Sequence, residues 1–475
     1  MASEIRVNKI ENRSGLGTVT FADTGVDLAG IVTATTFSGS GASLTNIPDS
    51  ALSAVTASKL TGALPAISGA SLTGMASTDN VRTGILDVAG ISTFRNTMNV
   101  GTAVTISESG IEATGVGITV ANINGGQISG RKNIIINGAM NVAQRGTSDT
   151  GTGLKTIDRF NSQGNGSQGV TQSQDTDVPT GQGFSKSLKF DCTTANASPS
   201  AGNYLSITYR IEAQDLQHIA NGTSNAKKLT LSFWVKSPKT GNHAVGLYKP
   251  DNTQRQQTKT YSVSAANTWE KKTITYDGDT SGGGIANDNG SGIQIDWHLM
   301  SGSNYTSVDS TSWVNYSDAA WAYGHAVNVL DDTANNFYIT GVQLEVGSQA
   351  TAFEHRSFGE ELALCQRYYY RMQNGSSGAY WVGHVTAYGS NNNVVMIFLP
   401  VCMRDSPSLG VSSTNSDFQL WGSATVENMS NAPTLRSSNG INPQVVAVDL
   451  THNITTGHSR ILRMANQAFF EFIAE

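Results

Sequence analysis

Charge is scarce in this 475-residue chain: 14% of its residues are Asp, Glu, Lys or Arg, against about 25% in ordinary soluble domains. Solubility therefore rests on Ser, Thr, Asn and Gly, a balance suited to a β-rich extracellular or virion surface. Basic runs never exceed Lys227-Lys228 or Lys271-Lys272, and the net charge is −6. This leaves no electrostatic footprint for a phosphate backbone and argues against nucleic acid as a partner. Cysteine is equally sparse. Cys192, Cys365 and Cys402 are odd in number and widely spaced, which argues against a disulfide framework and for synthesis in a reducing cytoplasm, with the thiols as small buried hydrophobes. The start, Met-Ala-Ser-Glu-Ile-Arg, has no apolar core of a signal peptide, and no stretch approaches the roughly 18 apolar residues of a membrane span. Membrane insertion is not expected.

Residues 1–130 also lack Trp, Tyr, His and Cys, and their aromatics are Phe21, Phe37 and Phe94 alone. Large rings normally dominate core burial, so a single chain of this composition buries too little to offset an ordering entropy of about 1–2 kcal/mol per residue. It must associate or stay disordered. Internal similarity favours association: Asp27-Leu-Ala-Gly-Ile31 recurs as Asp87-Val-Ala-Gly-Ile91, and Gly41-Ala-Ser-Leu-Thr45 as Gly69-Ala-Ser-Leu-Thr73. Short β-units separated by Gly imply a stack, completed most simply by winding identical chains about one axis. A disordered linker, the alternative, fits the low charge and recurring aliphatics poorly.

What is present begins beyond residue 130. In 131–356, Leu229, Leu231, Phe233 and Val235 alternate with Thr230, Ser232, Trp234 and Lys236, the two-residue period of a strand with one face inward. From Phe337 to Val346 the apolar phase slips by one at Gly341, a β-bulge signature. Many such segments between Gly/Asn/Asp/Ser turns predict a sandwich or jelly roll. In 357–475, Phe358 to Met372 reads as a helix, with Glu360 and Glu361 at its start, Arg367 and Arg371 near its end, and Asn374-Gly375 as its stop. Strands follow at Val394–Leu399, around Val446, Val448 and Leu450, and from Phe469 to Ile473. The fold class expected is mainly β: an elongated N-terminal trimeric stalk (1–130), a β-sandwich (131–356), then a short helix and a C-terminal β-domain (357–475).

Three stretches together resemble tail fibres of tailed bacteriophages, particularly the marine and cyanobacterial kind. They are the stalk text around Gly25–Ile31 and Ser68–Thr73, the junction Arg131-Lys-Asn-Ile-Ile-Ile-Asn-Gly-Ala-Met-Asn-Val-Ala-Gln-Arg-Gly146, and Phe337–Val346 leading into Cys365-Gln-Arg-Tyr-Tyr369. The resemblance implies a virion protein attached through its N-terminus to a phage tail or adaptor protein. It further implies a trimeric shaft, a jelly roll like a carbohydrate-binding module, and a distal tip. The partner expected at the tip is host surface glycan, lipopolysaccharide or similar.

No catalytic motif is recognisable. Asp277 and Asp279 lie in a turn-rich stretch where Asp serves local backbone hydrogen bonding; the same spacing could hold calcium, though without a full acidic ligand pattern. Asp331-Asp332 reads as a loop, and Asn221-Gly-Thr as a turn. His452 and His458 form no zinc spacing, and the eight histidines read as isolated. No metal, cofactor or enzymatic activity is expected. The candidate binding residues are rings in polar stretches: Trp297, Tyr305, Trp313, Tyr316, Trp321 and Tyr323, with Tyr380, Trp381, Tyr388 and Trp421 further on. Sugar C–H faces stack on flat rings while neighbouring amides and carboxylates take hydroxyls. Core packing or an interface between chains explains any single ring equally well. Two rival functions are a tailspike enzyme degrading glycan, which ought to show a long parallel β-helix repeat, and a bacterial adhesin, which needs a secretion signal or anchor.

The N-terminal composition leads to a prediction about assembly. Sedimentation of the intact protein is expected to give a homotrimer; a monodisperse monomer with an ordered N-terminal region would overturn it.

Overall fold

The computed structural model describes residues 131–373 throughout, together with 379–387, 389, 393–412, 414–422, 425–436, 444–452, 454 and 458–475. In the first 130 residues it describes 9–11, 18–22, 25–28, 31, 35, 36, 45, 98–100, 104–107 and 110–113. The chain is mainly β, with 43% of residues in strands and 8% in helices, as the alternation patterns led us to expect.

One compact unit comprises Met1–Ile111. It contains strands β1 (Lys9–Glu11), β2 (Thr18–Ala22) and β3 (Gly25–Leu28) in one three-stranded sheet. A second such sheet joins β4 (Met98–Val100), β5 (Val104–Ser107) and β6 (Gly110–Ala113), in that order. Sheets this small have little apolar face to bury on their own. The repeats at 69–73 and 87–91 lie outside the described residues.

The other unit, Glu112–Glu475, holds everything else. Strands β7 to β18 are, in chain order, Ser148–Thr150, Phe160–Asn165, Gly169–Asp175, Ser187–Thr194, Tyr204–Glu212, Leu229–Lys236, Gly241–Lys249, Arg255–Val263, Glu270–Tyr276, Ser291–Ser301, Val314–Asn315 and Asn336–Val346. They form two antiparallel six-stranded sheets, β15-β12-β18-β10-β9-β7 and β17-β14-β13-β16-β11-β8. Their inner faces close one apolar core, in which Leu231, Phe233, Ile295, Trp297 and Leu344 are wholly buried. Phe233 meets Tyr261 and Trp297 edge-on, at centroid distances of 5.1 and 6.0 Å.

Two local patterns explain the register. On β12 the alternating apolar residues face the core, but Thr230 and Ser232 are buried as well, so the expectation of a strand with one open face is corrected. Thr230 Oγ1 donates to Gly347 O at 2.8 Å, which satisfies the hydroxyl without water. Opposite Phe233, the register against β18 jumps from Ser232↔Gln343 to Trp234↔Thr340. The extra residue is absorbed at Gly341, whose φ is +63°, a left-handed conformation that glycine adopts freely. The junction 131–146 runs along this bulge. Asn133 Nδ2 donates to Val342 O at 3.1 Å, and Asn133 Oδ1 accepts from Leu344 N at 3.1 Å.

A helix, α1 (Phe358–Gln366), is capped by the Ser357 side chain and then gives way to strand. Glu361, in its first turn, accepts from Asn137 N at 2.5 Å. The helix expected to reach Met372 therefore stops six residues early. Strand β19 (Tyr369–Gln373) pairs in register with the terminal strand Phe469–Ile473, because long-range pairing of two aromatic segments outweighs modest helix propensity. Arg371 is thus a strand residue, and the stop at Asn374-Gly375 lies outside the described residues. Strands β20 to β28 are Tyr380–Ala387, Asn393–Phe398, Ser408–Val411, Phe418–Gly422, Thr425–Asn428, Thr434–Leu435, Val445–Leu450, Ser459–Met464 and Phe469–Ile473. They form the sheets β24-β23-β27-β20-β21-β26-β25 and β19-β28-β22 around a second core that includes Val395, Phe418, Leu462 and Phe470.

Between the two cores runs a polar seam. Arg367 grips Glu212 with Nε and Nη2, each at 2.9 Å. The Arg159 guanidinium lies 3.4 Å from the centre of the Tyr368 ring and that of Arg145 3.5 Å from Tyr369. Cys192 and Cys365 are buried as expected, whereas Cys402 is exposed, a correction that follows from its place in an irregular segment ahead of β22.

Gly341 yields a stability prediction. A Cβ built there stands 2.6 Å from the Phe184 ring, and φ is already unfavourable for an L side chain. Gly341→Ala is expected to destabilise the protein by about 1–3 kcal/mol, read as a lower midpoint in urea denaturation; an unchanged midpoint would contradict the bulge.

Candidate functional site

The sheet containing β11 and β16 turns its second face away from the core, and the alternation dictates what lies there. On β11, Leu205, Ile207, Tyr209 and Ile211 face inward and are buried, so Tyr204, Ser206, Thr208 and Arg210 face outward. On β16, Ile293, Ile295, Trp297 and Leu299 take the core side, leaving Gln294, Asp296 and His298 outward. Gln163 on β8 and Tyr248 on β13 extend the same surface through the pairings Ser206↔Gln163 and Tyr248↔Gln294.

The segment from Gly302 to His325 folds back over part of this face, closed by Ala322 N donating to Tyr305 O at 2.8 Å. It delivers rings onto the sheet. Trp321 stands edge-on to Tyr204, Tyr305 and His298, at 5.0, 5.5 and 4.7 Å between centroids. Tyr316 lies 4.9 Å from Tyr248. The result is an open cleft of about 330 Å³ lined by Gln163, Tyr204, Tyr248, Gln294, Tyr305, Tyr316, Asp318 and Trp321.

Asp296 anchors this arrangement from beneath. It is fully buried and accepts from Thr208 Oγ1 at 2.8 Å, Gln294 Nε2 at 3.0 Å and Trp321 Nε1 at 3.0 Å. Burial pushes its carboxyl above the usual range, and the three donors oppose that shift. Tyr316 is 38% exposed and donates to Asp318 Oδ1 at 2.7 Å; burial and that bond push its phenol up. Burial also depresses His298 to about 3, so this imidazole is neutral at physiological pH.

The ring residues expected from sequence separate into four groups. Tyr305, Tyr316 and Trp321 line the cleft. Trp297 does not: it is wholly buried between the sheets, 6.4 Å from Phe160 and 6.0 Å from Phe233. Its place in the list of binding residues is corrected, since it shares the inward phase of Ile293, Ile295 and Leu299. Trp313 packs at the core margin with its indole N–H donated to Asp277 O at 2.6 Å, and Tyr323 is half-buried outside the cleft. In the C-terminal sheet, Trp381 and Trp421 are 50% and 38% exposed and meet edge-on at 5.4 Å across β27. Tyr380 is exposed nearby, and Tyr388 lies outside the described residues.

Tyr204, Tyr248, Gln163 and Gln294 were missed by sequence reasoning. For Tyr204 a signal existed: it sits in phase with Ser206, Thr208 and Arg210, opposite four apolar neighbours. The acidic candidates are all engaged elsewhere. Asp279 accepts from Arg255 Nε at 2.9 Å, Asp277 lies 3.2 Å from Lys228 Nζ, and Asp331 2.7 Å from Lys239 Nζ. The histidines are less isolated than expected: His325 lies 5.9 Å from His243 and 6.1 Å from His298, all three buried. Among the described residues no group of three His, Cys, Asp or Glu is placed to hold a metal ion.

No family model and no curated protein matches this chain. Among solved structures it is similar to the enzymatically active domain of tailspike protein 4 of Bacteriophage CBA120, with 14% identity over 45% of this chain and 21% of that one, at a TM-score of 0.25. The chain thus spans about a fifth of the tailspike structure it matches. It is also similar to a family 11 carbohydrate-binding module from Clostridium thermocellum, solved with a β-1,3-1,4-mixed-linked tetrasaccharide. That match has 11% identity over 44% of this chain and 98% of the module, at a TM-score of 0.22. A CBM4 module gives 11% identity, 44% and 97% coverage, and a TM-score of 0.22. Superpositions this loose assign neither ligand nor activity.

The anchoring role of Asp296 is testable. Asp296→Ala strips the acceptor from two buried donors, Thr208 and the Trp321 indole, and is expected to lower stability by about 1–3 kcal/mol. Urea denaturation measures it; a variant as stable as the parent would show that the other contacts of the loop, such as Thr258 to Trp321 O, hold the wall of the cleft without Asp296.

Proposed function

We propose that the cleft on the outer face of this sheet binds glycan, and that the chain is a host-recognition fibre of a tailed phage. The observation that carries the binding reading is the combination of five rings, two amides and one carboxylate around an open cleft. Rings supply flat faces for sugar C–H groups, and Gln163 and Asp318 supply a donor and acceptors for hydroxyls, beside Gln294, which is held between Asp296 and Arg210.

The fibre reading rests on the sequence: the stalk composition, the tail-fibre resemblance and the scarcity of charge. In this reading residues 1–130 attach to a tail or adaptor protein and wind as a homotrimer, 131–356 carry the glycan cleft, and 357–475 form the tip. The protein is made in the host cytoplasm and resides on the virion.

Binding proceeds without cleavage in this proposal. Glycoside hydrolysis generally uses two carboxyl groups flanking the bond. Among the described residues Asp318 is the one carboxylate lining the cleft, and Asp296 is closed off beneath it by its three donors. A bacterial surface adhesin with the same cleft remains the rival; cells of the host that display the chain would favour it, whereas purified virions that contain it favour the fibre.

Tyr305→Ala and Tyr316→Ala are each expected to weaken retention on host surface polysaccharide by a few-fold to about tenfold, since a stacked ring contributes about 0.5–1.5 kcal/mol. Oligomeric state should be unaffected. Unchanged retention by both variants would sink the cleft as the binding site, and release of reducing ends by the intact protein would sink the non-enzymatic reading.

A further inference from the structure

Beyond Gln294 the same sheet face carries a second hollow. On the same sheet face, Asn161 precedes Gln163 by one outward position on β8, and Thr208 and Arg210 continue the outward row from Tyr204 on β11. From Tyr204 to Arg210 the row runs roughly 20 Å. It leads into this hollow, of about 290 Å³, whose lining includes Asn161, Thr208, Tyr368 and three arginines, Arg159, Arg210 and Arg404. Arg210 Nε donates to Gln294 Oε1 at 3.0 Å, so the two hollows share a wall.

The charges in this second hollow are unbalanced. Of its two acidic residues, Glu212 is gripped by Arg367 at 2.9 Å, and Glu475 pairs with Arg145 at 2.7 Å while also facing Arg159 and Arg404 at longer range. None of Arg159, Arg210 and Arg404 lies within 4.0 Å of a carboxylate among the described residues. Two of them are held in place by neutral groups. Arg404 donates from Nε to Ala474 O and from Nη1 to Asn289 O, both at 2.7 Å. Arg159, 8% exposed, is clamped over the Tyr368 ring, donates from Nη2 to Arg210 O at 2.5 Å, and has a buried Nε without a partner. Its backbone is held at φ +75°, an unfavourable conformation for a non-glycine residue and one that clusters at ligand sites. Three guanidinium groups face one carboxyl, that of Glu475, which Arg145 also engages, so positive charge is left over beside the cleft and matches an oxyanion.

We infer that the ligand of the cleft is an anionic glycan, its rings stacked between Tyr305 and Tyr316 and a carboxylate, sulfate or phosphate substituent seated among Arg159, Arg210 and Arg404. This rests on the glycan reading above and specifies its substrate class. With a net charge of −6 on the whole chain, the attraction is local to these arginines.

The test is a glycan array holding matched neutral, uronate, sulfated and phosphorylated oligosaccharides, probed with the intact protein and with Arg210→Gln, Arg404→Gln and Tyr316→Ala. Arg210 is exposed, so its variant tests the pocket even if Arg404→Gln fails to fold. Binders are expected to be anionic, and the class that binds identifies the substituent. Arg210→Gln should weaken them about tenfold, and rising salt should weaken them further. Tyr316→Ala should weaken the same glycans without changing the preference for charge. Neutral binders, or anionic binders indifferent to Arg210→Gln, overturn the inference while leaving the cleft intact. Arg210-dependent binding of inorganic sulfate or phosphate alone, with no glycan bound, makes the hollow a free-anion site and also overturns it. An array with no binder of any kind overturns the glycan reading itself.

Discussion

The buried carboxylate of Asp296 is the contact on which the outer face of the sandwich depends. A sheet needs only one face to bury its apolar residues, and here the other face carries a row of polar contacts. Trp321 is tied to Asp296, Asp296 to Gln294, and Gln294 to Arg210. A buried carboxylate with too few donors destabilises a fold; with three, it becomes a fixed point that sets where a loop can sit. The loop from Gly302 to His325 is held largely by hydrogen bonds, among them Gln256 to Ser317 O, Thr258 to Trp321 O and the Trp321 indole to Asp296. The bond to Asp296 places the Trp321 ring, while the sheet itself places Tyr204 and Tyr248.

How far this was legible in the sequence depends on periodicity. Leu229, Leu231, Phe233 and Val235 announced their strand, and the phase slip at Gly341 announced its bulge, because both signals lie within one element. Trp297 was misread when counted as a ring in a polar stretch, although its two-residue phase with Ile293, Ile295 and Leu299 already placed it inward. The same reasoning applied to Tyr204 would have placed it on the open face. Burial of Thr230 and Ser232 was not legible, since it depends on neighbours distant in the chain, such as Gly347, whose carbonyl accepts from Thr230. Nor was the arginine hollow: Arg159, Arg210 and Arg404 share no spacing, and only the docking of the C-terminal region brings Arg404 to the first two.

The end of α1 illustrates the competition between local and distant forces. Residues 358–372 carry acidic groups first and basic groups last, which suits a helix dipole. Yet Tyr369 and Tyr370 gain more as a strand against Phe472 and Ile473, where Tyr370 stacks on Phe472 at 6.3 Å. Ending the helix at Gln366 frees Arg367 and Tyr368 to turn back to the sandwich, where they meet Glu212 and Arg159. Had the helix continued, those two side chains would have followed its spiral rather than the seam.

That seam joins structure to recognition. The ring-lined part of the groove is built wholly from the sandwich, whereas the arginine part needs Tyr368 and Arg404 from beyond it. The Arg367–Glu212 pair both fixes this docking and removes a carboxylate that would otherwise neutralise the neighbouring guanidinium groups. One ion pair therefore has two consequences: it ties the two cores together, and it takes Glu212 out of the charge balance of the hollow. On the proposed reading, a groove with a ring-lined end and an arginine-lined end would take a glycan in a fixed direction. Stacking tolerates many sugars, while fixed guanidinium groups accept an anion only at a set distance from the rings.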